Sequence, residues 1–324
     1  MSWRDWMEAA LYDPDRGYYT AGIRTVGRRG DFSTTATLGT SLAGAIAGWV
    51  REEWQRAGQK LPLIEIGPGD GSLMAGVWRA LGWTERWRLR THLVERSPVL
   101  RGVQQERLRR ARSRMVWHDS VAAALDACGG KALIYSNELA DAFPATLLQY
   151  HRGAWREVWL RIAENGGIVE ELRDCAPDAA GSAAHVVDCE GQRIEVLRAW
   201  REWLREWRPH WKAGAMLTVD YGGTPQEIYH RRPGGTVRGY RHHQVLSAGE
   251  LYAHTGRCDV TVDVNFTDLA EWGREAGLED APLVNQREFV AARCAAEPDA
   301  LHGPGGATEA FYCLVQRPVP GKPV

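Results

Sequence analysis

The stretch Leu63-Ile-Glu-Ile-Gly-Pro-Gly-Asp-Gly71 decides the fold prediction for this chain. A short strand-like run ends at Ile66, glycines follow at positions 67, 69 and 71, and a helical pattern opens at Ser72. A glycine turn between a strand and a helix lets the backbone approach a bound ligand closely. A dinucleotide fingerprint would place its third glycine one residue later, so the spacing weakens a dinucleotide site without excluding it.

The sequence around this turn alternates short apolar runs with helical periodicity, beginning at residue 61. Strands are predicted at 63–66, 89–95, 115–117, 132–136, 215–219, 260–266 and 311–315, and helices at 72–81, 99–110, 120–127 and 267–276. Such alternation builds a parallel sheet through crossover connections and covers both of its faces with helices. We therefore predict an α/β fold with a Rossmann-like sheet.

The predicted organisation is a single domain made of four segments. Residues 1–60 form a helical and loop extension that caps the site. Residues 61–144 form the cofactor-binding first half of the sheet, and residues 213–324 form its second half. Between them, residues 145–212 form an insertion on the substrate side, which interrupts the alternation.

The insertion has its own pattern. Leu147 to Arg161 predict a two-stranded excursion, and Cys175 to Arg193 are loop-like. A tryptophan-rich helix is predicted to follow. Its apolar face would consist of Ile194, Leu197, Trp200, Leu204 and Trp207. A stripe at helical spacing favours a packing face over a ligand pocket.

The composition argues against several classes of function. The net charge of −1 argues against a nucleic-acid partner, because binding to phosphates requires a basic stripe. Six scattered cysteines form no CxxC pair and no cluster with histidine, so we expect no metal site. The chain starts without a signal-peptide pattern and contains no long apolar run, so we expect a cytoplasmic protein without membrane insertion.

Carboxylates stand at the ends of the first three predicted strands. Glu65 is unusual in a buried strand and needs a partner, such as a ligand amine or backbone N–H groups. Glu95 ends the second strand, where a carboxylate can accept both ribose hydroxyls of an adenosine; the alternative is a helix cap. Asp119 follows Trp117 at the end of the third strand, near the expected adenine, although a core tryptophan and a capping aspartate explain it equally well.

The fourth strand ends in Asn137-Glu138, and Asp141 follows three residues later. Open α/β sheets bind ligands at the carboxyl ends of their strands, so these polar groups are candidates for the reaction site. Two acids at this spacing can share a helical face and repel unless a cation lies between them. The alternative is a solvated helix start.

Seven motifs spread over nearly the whole chain form a specific combination. They are Tyr12-Asp-Pro-Asp-Arg-Gly-Tyr-Tyr19, Gly30-Asp-Phe-Ser-Thr34, Glu65 to Gly71, Asn137-Glu-Leu-Ala-Asp-Ala-Phe-Pro144, Asp220-Tyr-Gly222, Gly235-Thr-Val-Arg-Gly-Tyr240 and Asp259-Val-Thr261. Together they resemble the MidA-like family of class I methyltransferases, related to the mitochondrial complex I assembly factor that methylates an arginine of a partner subunit.

The resemblance implies S-adenosylmethionine as the cofactor and S-adenosylhomocysteine as its product. The glycine spacing and Glu95 favour the same cofactor over a dinucleotide. The expected cofactor-binding residues are Glu65, Gly67, Pro68, Gly69, Asp70, Gly71, Glu95, Asp119, Asn137, Gly30, Phe32 and Thr34. Tyr221, Arg238 and Tyr240 are the expected substrate-binding residues.

The acceptor that the resemblance implies is an arginine of a protein partner. An arginine arrives protonated because its pKa exceeds about 12, so carboxylates must orient it and accept a proton. Glu138 and Asp141 are the first candidates for this role, and Asp31 and Asp220 are further ones. A small-molecule O- or N-methyltransferase and a non-catalytic assembly factor stay open as alternatives, as does the oligomeric state.

Overall fold

A computed structural model describes residues 1–22, 40–87, 89–185, 189–241, 244–246, 248–294, 307–319 and 321. The chain divides into two compact units. The sheet unit comprises Arg24–Leu139, Trp203–Asp220 and Ala270–Val324, and the second unit comprises Met1–Ile23, Ala140–Glu202 and Tyr221–Leu269. Neither unit is contiguous in sequence, whereas the predicted segments divide at residues 60, 144 and 212. Those segment boundaries stay a prediction.

The secondary structure follows the predicted alternation. The α-helices are α1 (Trp3–Tyr12), α2 (Ser41–Ala57), α3 (Ser72–Ala80), α4 (Trp83–Arg86), α5 (Pro98–Arg107), α6 (Val121–Ala127), α7 (Arg198–Trp207), α8 (Pro225–Tyr229), α9 (Ala248–Ala253), α10 (Phe266–Glu275) and α11 (Gln286–Arg293). The strands are β1 (Leu63–Ile66), β2 (Thr91–Val94), β3 (Met115–His118), β4 (Lys131–Asn137), β5 (Thr146–His151), β6 (Ala154–Ile162), β7 (Ile168–Asp174), β8 (Arg193–Val196), β9 (Ala213–Gly223), β10 (Arg238–Arg241), β11 (Gln244–Leu246), β12 (Asp259–Thr261), β13 (Val264–Asn265), β14 (Leu278–Asp280), β15 (Val284–Asn285) and β16 (Phe311–Pro318).

The sheet unit is built on strands in the order β14-β16-β9-β4-β1-β2-β3. The five neighbours from β9 to β3 pair in parallel, so their carboxyl ends lie along one edge of the sheet. All four residues of β1 are buried, as expected of a central parallel strand covered on both faces. The glycine turn that follows Ile66 therefore lies at the middle of the carboxyl edge.

In the sheet unit, α5 and α6 each begin directly after a serine that caps the helix. The Ser97 hydroxyl accepts a hydrogen bond from the Leu100 N–H, and Pro98 follows at the first helical position of α5. Ser120 caps α6 in the same way. Apolar side chains of the sheet pack against α6 and against the buried indole of Trp211. Each large apolar side chain buried in this way contributes roughly 1.5–3 kcal/mol to stability.

The second unit contains two antiparallel sheets, in the orders β7-β6-β5-β8 and β11-β10-β12. The predicted two-stranded excursion is thus half of a four-stranded sheet. The prediction was wrong for Ile194 and Leu197, because Ile194 lies in β8 and α7 begins only at Arg198. Ile194 and Val196 alternate with the polar residues Arg193 and Glu195, which is the period-two pattern of a strand. The spacing of three between Ile194 and Leu197 was misinterpreted as helical.

The predicted strand at 260–266 is also two short strands. β12 pairs with β10 in the antiparallel sense, and β13 pairs in parallel with Gly222 and Gly223 at the end of β9. The predicted fold class is confirmed: strands and helices alternate around a parallel sheet, with further strands in a second unit.

The approach of β9 to β4 gives a stability prediction. A Cβ atom on Gly214, at φ 124°, would lie 1.9 Å from the Ala132 carbonyl oxygen, so Gly214→Ala must push the two central strands apart. We expect it to lower the free energy of unfolding by about 3 kcal/mol, as overpacking and backbone strain combine. Gly129 also has a positive φ, but a Cβ atom there would meet open space, so Gly129→Ala is the matched control. In urea unfolding, Gly129→Ala should lower the free energy of unfolding by only about 1 kcal/mol. An equal decrease in the two variants would contradict the steric explanation.

Candidate active site

The glycine turn after β1 is a stretch of backbone that only glycine adopts without strain. Gly67, Gly69 and Gly71 have φ values of 63°, 54° and 79°. The Gly71 N–H donates a hydrogen bond of 2.7 Å to the Pro68 carbonyl, which closes the turn. A Cβ atom on Gly67 would lie 2.9 Å from the Leu139 side chain. The turn is therefore a cradle of bare backbone at the carboxyl edge.

Asp70 fixes the end of this turn to the helices beside it. Its carboxylate accepts a 2.9 Å hydrogen bond from the Ser72 N–H at the start of α3. It also pairs with Arg107 of α5 at 2.7 Å. Asp70 is buried, so both bonds compensate for the loss of water. These two bonds hold the cradle in shape, and a role for Asp70 in cofactor binding stays a prediction.

Glu65 lies just before the cradle and is 2 % exposed. Its Oε2 atom has no hydrogen-bond partner among the described residues. Burial raises the pKa of Glu65 to about 8; the Tyr135 hydroxyl opposes this rise, and the negative charge of Asp70 adds to it. A buried carboxyl group with a free oxygen fits a cationic ligand group such as an amine.

Glu95 directly follows β2 and is held in a fixed orientation. Its Oε1 atom accepts a hydrogen bond from the Ser97 N–H at 2.8 Å, and its Oε2 atom accepts one from the Gln104 amide at 3.0 Å. Burial raises its pKa, and these two bonds act against the rise. The cap of α5 is Ser97, so Glu95 is not needed as a helix cap.

Gln104 is a site residue that was not predicted from the sequence. It is fully buried on α5, and its amide nitrogen bonds both Glu95 and the Gly69 carbonyl, the latter at 2.8 Å. Its amide oxygen accepts a 2.9 Å hydrogen bond from the Trp117 indole. Leu100 and Leu108 flank Gln104 at helical spacing, and a polar residue inside that buried stripe is the signal that could have identified it. Gln104 ties the cradle to Glu95 and to the third strand.

Asp119 lies apart from this buried network. Its side chain is 88 % exposed and forms an ion pair with Arg101, whose guanidinium also bonds the Glu95 carbonyl at 2.7 Å. The structure therefore brings Trp117 to the buried network and leaves the Asp119 carboxylate at the surface. A role for Asp119 in cofactor binding stays a prediction.

The carboxyl ends of β4 and β9 carry three more of the predicted residues. The Asn137 amide donates a 3.1 Å hydrogen bond to Glu138, while its buried Oδ1 atom has no partner among the residues that the structure describes. Glu138 has a φ of 50°, which is rare for a residue with a side chain and typical of functional sites. Asp220, fully buried, accepts a 3.1 Å hydrogen bond from the Leu139 N–H. Asp220 thus fixes the strained turn that carries Glu138.

The second unit brings together Asp141, Tyr221 and Arg238. The Tyr221 hydroxyl donates a hydrogen bond to Asp141, and the Arg238 guanidinium lies 4.9 Å from the centre of the Tyr221 ring. Burial raises the pKa of Asp141 to about 6, and the Tyr221 bond and the Arg238 charge limit the rise. Arg238 is itself paired with Asp263 at 2.6 Å, and Arg232 pairs with the other oxygen of Asp263 at 2.5 Å.

The second unit holds another carboxylate, Asp259, that also bonds a tyrosine. The Tyr19 hydroxyl donates a 2.8 Å hydrogen bond to Asp259, and the Tyr12 ring stacks on Tyr19 with 5.7 Å between centroids. Burial raises the pKa of Tyr19, and Asp259 and Asp141 raise it further, because each negative charge opposes ionisation of the nearby phenol. Tyr240 lies opposite Asp259 in the register of β10 and β12. We call Tyr19, Asp141, Tyr221 and Asp259 the acidic tyrosine cluster.

Tyr19, Asp259 and Asp263 were not among the predicted site residues. Tyr19 and Asp259 occur in motifs that carry the family resemblance, and that was the available signal. Four predicted residues, Gly30, Asp31, Phe32 and Thr34, lie outside the described residues. Their predicted roles stay predictions.

The described part of the chain holds no three-ligand metal cluster and no helix that could span a membrane. No group of three or more His, Cys, Asp and Glu side chains there is arranged to hold a metal ion. Of the helices in the same residues, none combines the length and apolar character needed to cross a membrane.

Residues 45–283 match the model of a protein family described as "Putative S-adenosyl-L-methionine-dependent methyltransferase". The chain belongs to this family. S-adenosylmethionine, the expected cofactor, is thereby confirmed, and the alternative of a dinucleotide is rejected. The methyltransferase is an enzyme whose product is S-adenosylhomocysteine.

Relatives and a solved structure agree with the family. The protein arginine methyltransferase NDUFAF7, mitochondrial, of Danio rerio is 28 % identical over 316 residues, which cover 88 % of this chain and 71 % of the relative. The homologue of Caenorhabditis elegans is 26 % identical over 337 residues and covers 89 % of this chain and 71 % of its own length. A crystal structure of a Burkholderia thailandensis protein bound to S-adenosyl-homocysteine is 25 % identical, with a TM-score of 0.86 over 98 % of this chain and 87 % of that one.

The residues at the carboxyl edge fit this cofactor. The cradle from Gly67 to Gly71 offers bare backbone at its three glycines, and Glu65 offers a buried carboxyl oxygen that has no partner among the described residues. An amino group satisfies such an oxygen, and Glu95 is presented by two fixed hydrogen bonds at the next strand end, where a ribose can be bound. When bound, the cofactor supplies a methyl group on a positively charged sulfur.

Gln104 gives a direct test of this arrangement. Gln104→Met keeps the volume of the side chain but removes the bonds to the Gly69 carbonyl and Glu95. We expect the affinity for S-adenosylhomocysteine, measured by calorimetry, to fall at least about tenfold, because a buried hydrogen bond to a charged group is worth roughly 1.5–3 kcal/mol. The control is Gln105→Met on the same helix, which should bind as the parent does. Equal affinities of the two variants would reject the role assigned to Gln104.

Proposed function

We propose that this methyltransferase transfers the methyl group to an arginine side chain of a protein partner. The proposal is supported by relatives named as protein arginine methyltransferases, which match 88 % or more of the chain at 24–28 % identity. The single structural observation that carries it is the acidic tyrosine cluster, where two carboxylates lie close to tyrosine rings.

A guanidinium is the cation that this cluster suits best. Guanidinium groups bind carboxylates through two donors and stack on aromatic faces, whereas an ammonium is a compact point charge. The second unit already holds one guanidinium in this way, since Arg238 lies over the Tyr221 ring and pairs with Asp263. A substrate arginine would find the same two elements in Asp141 and Tyr19.

The reaction requires the protein to hold a guanidinium nitrogen in line with the methyl carbon and to exclude water. The nitrogen forms the new N–C bond, the electron pair of the S–C bond stays on sulfur, and the guanidinium loses one proton to a carboxylate. Asp141 can accept this proton at neutral pH, because its pKa of about 6 leaves it ionised above that value. Burial keeps its pKa closer to neutrality than that of an exposed aspartate.

Glu138 is the second candidate for orienting the acceptor. Its strained backbone is held by the bond of its own N–H to the Val219 carbonyl at 2.9 Å and by the adjacent bond of Leu139 to Asp220. Strain of this kind persists only where surrounding contacts enforce it. Asp220 acts through this turn, so we assign it a positioning role and not that of a proton acceptor.

Variants of the two acids test the mechanism. Asp141→Asn and Glu138→Gln should lower turnover by at least about 100-fold, since a positioned proton acceptor contributes 10²–10⁴-fold. Their affinity for S-adenosylhomocysteine should stay within about twofold of the parent, because neither acid is assigned to cofactor binding. In the parent, turnover should rise with pH through about 6 as Asp141 ionises. In Asp141→Asn this rise of turnover around pH 6 should be absent. Asp126→Asn, a change of an exposed acid, is the control. Unchanged turnover in both site variants would contradict the mechanism.

The substrate class is tested with labelled cofactor. Lysate of cells that lack this protein is incubated with purified enzyme and methyl-labelled S-adenosylmethionine, and labelled products are separated by size. Label on an arginine of a protein supports the proposal. Label confined to a small molecule would overturn it in favour of a small-molecule methyltransferase.

A further inference from the structure

The amino edge of the parallel sheet, opposite the cradle, carries a row of basic residues. A basic residue starts or closely precedes each of the five parallel strands. In spatial order from β9 to β3 these residues are Lys212, Lys131, Lys60, Arg90 and Arg114. All five side chains are exposed. We call this set the basic row.

The register of the strands places the basic row along one edge of the sheet, with a stagger of up to two residues between neighbouring strands. Thr91 pairs with Met115, so Arg90 and Arg114 stand at matching positions, and Lys131 pairs with Ala213, directly after Lys212. Lys60 precedes β1 by three residues, beside the Leu63 N–H that bonds the Arg90 carbonyl. Neighbouring strands are about 4.8 Å apart, so the row extends over about 19 Å.

The residues of the basic row make little use of carboxylates within the described residues, although Lys60 helps Arg51 to lower the pKa of Glu85. None of the five forms an ion pair there. The carboxylates that precede two of the strands are already bound, Glu85 by Arg51 at 2.7 Å and Asp126 by His210 at 2.8 Å. Three of the four lysines in the whole chain stand in this row. Although the net charge of the chain is −1, positive charge is concentrated at the amino edge of the sheet.

Two exposed tryptophans lie beside the basic row. Trp83 and Trp87 are 71 % and 56 % exposed, and their ring planes are parallel to within 5° at 6.1 Å. Lys60 donates a 3.0 Å hydrogen bond to the Thr84 carbonyl, which places the tryptophans next to the row. Large exposed aromatic side chains beside cations indicate a binding surface rather than a packing face.

We propose that the basic row and the Trp83–Trp87 pair dock this protein on an anionic membrane surface. A row of cations along an exposed edge attracts the negative headgroups of a membrane, and indole rings prefer the membrane–water interface. Lysine is depleted in interfaces between proteins, yet it supplies three of the five cations here. The contact is peripheral and needs no spanning helix. It leaves the carboxyl edge of the sheet free, so docking does not depend on the identity of the methyl acceptor.

Vesicle sedimentation tests the proposal with the full chain. The parent should bind vesicles of equal parts phosphatidylcholine and phosphatidylglycerol at low salt, should bind pure phosphatidylcholine vesicles far more weakly, and should dissociate as salt rises. The variant Lys131→Gln, Lys212→Gln, Arg114→Gln should bind the anionic vesicles on the order of 100-fold more weakly, at about fivefold for each charge removed. Trp83→Ala with Trp87→Ala should also lose affinity. Calorimetry with S-adenosylhomocysteine verifies that each variant is folded.

The matched control removes three exposed cations of the second unit, by Arg152→Gln, Arg231→Gln and Arg257→Gln. It has the same net charge as the triple row variant and should bind vesicles within about twofold of the parent, because none of these three residues belongs to the basic row. Absence of parent binding to anionic vesicles would overturn the proposal, as would an equal loss in the control. Tighter binding of a single-stranded oligonucleotide or of an acidic peptide than of vesicles would also overturn it, and would assign the row to that partner.

Discussion

The buried carboxyl group of Glu65 is the constraint around which the cofactor end of this methyltransferase is arranged. It stands near the end of the central strand, where water cannot solvate a charge, and one of its oxygens has no partner among the described residues. In the free protein the group stays protonated at neutral pH, because burial raises its pKa to about 8. The folded state therefore binds this proton more tightly than the unfolded chain does, and the resulting stabilisation is lost as pH rises toward 8. A ligand cation compensates the charge when the group ionises.

The neighbouring features lie around the same end of β1 as this group. The glycine turn gives access because three of its residues are glycines, whose positive φ values a side chain would disfavour. Gln104 then holds the turn and Glu95 in one network, so that the ends of β1 and β2 offer a fixed pair of carboxyl groups. Preorganised groups of this kind lose little entropy when the ligand binds. The residues that we propose for the methyl acceptor are held differently, Glu138 on a strained backbone and Asp141 by a tyrosine hydrogen bond.

Sequence alone predicted the parts of this structure that depend on local pattern. The strand-turn-helix at residues 63–80, the strand ends at Glu95 and Asn137, and the parallel sheet follow from periodicity and glycine spacing. Gln104 was missed because its three hydrogen-bond partners, Gly69, Glu95 and Trp117, lie outside its own helix and cannot be identified from the local sequence. Tyr19 and Asp259 are 240 residues apart, so no local pattern pairs them. The basic row was likewise hidden, because the five residues are dispersed in sequence and meet only through strand order. Net charge, a sum over the chain, cannot report such a distribution.

The measurement that tests the central claim most directly is the number of protons released when S-adenosylhomocysteine binds. Calorimetry at pH 7, repeated in buffers of different ionisation enthalpy, gives this number. If the ligand amine is received by Glu65, the carboxyl group must ionise on binding, and the parent should release about one proton more than Glu65→Gln does. This difference should shrink above pH 8, where Glu65 is already ionised in the free protein. Equal proton release by the parent and Glu65→Gln would show that the buried carboxyl group does not receive the cofactor.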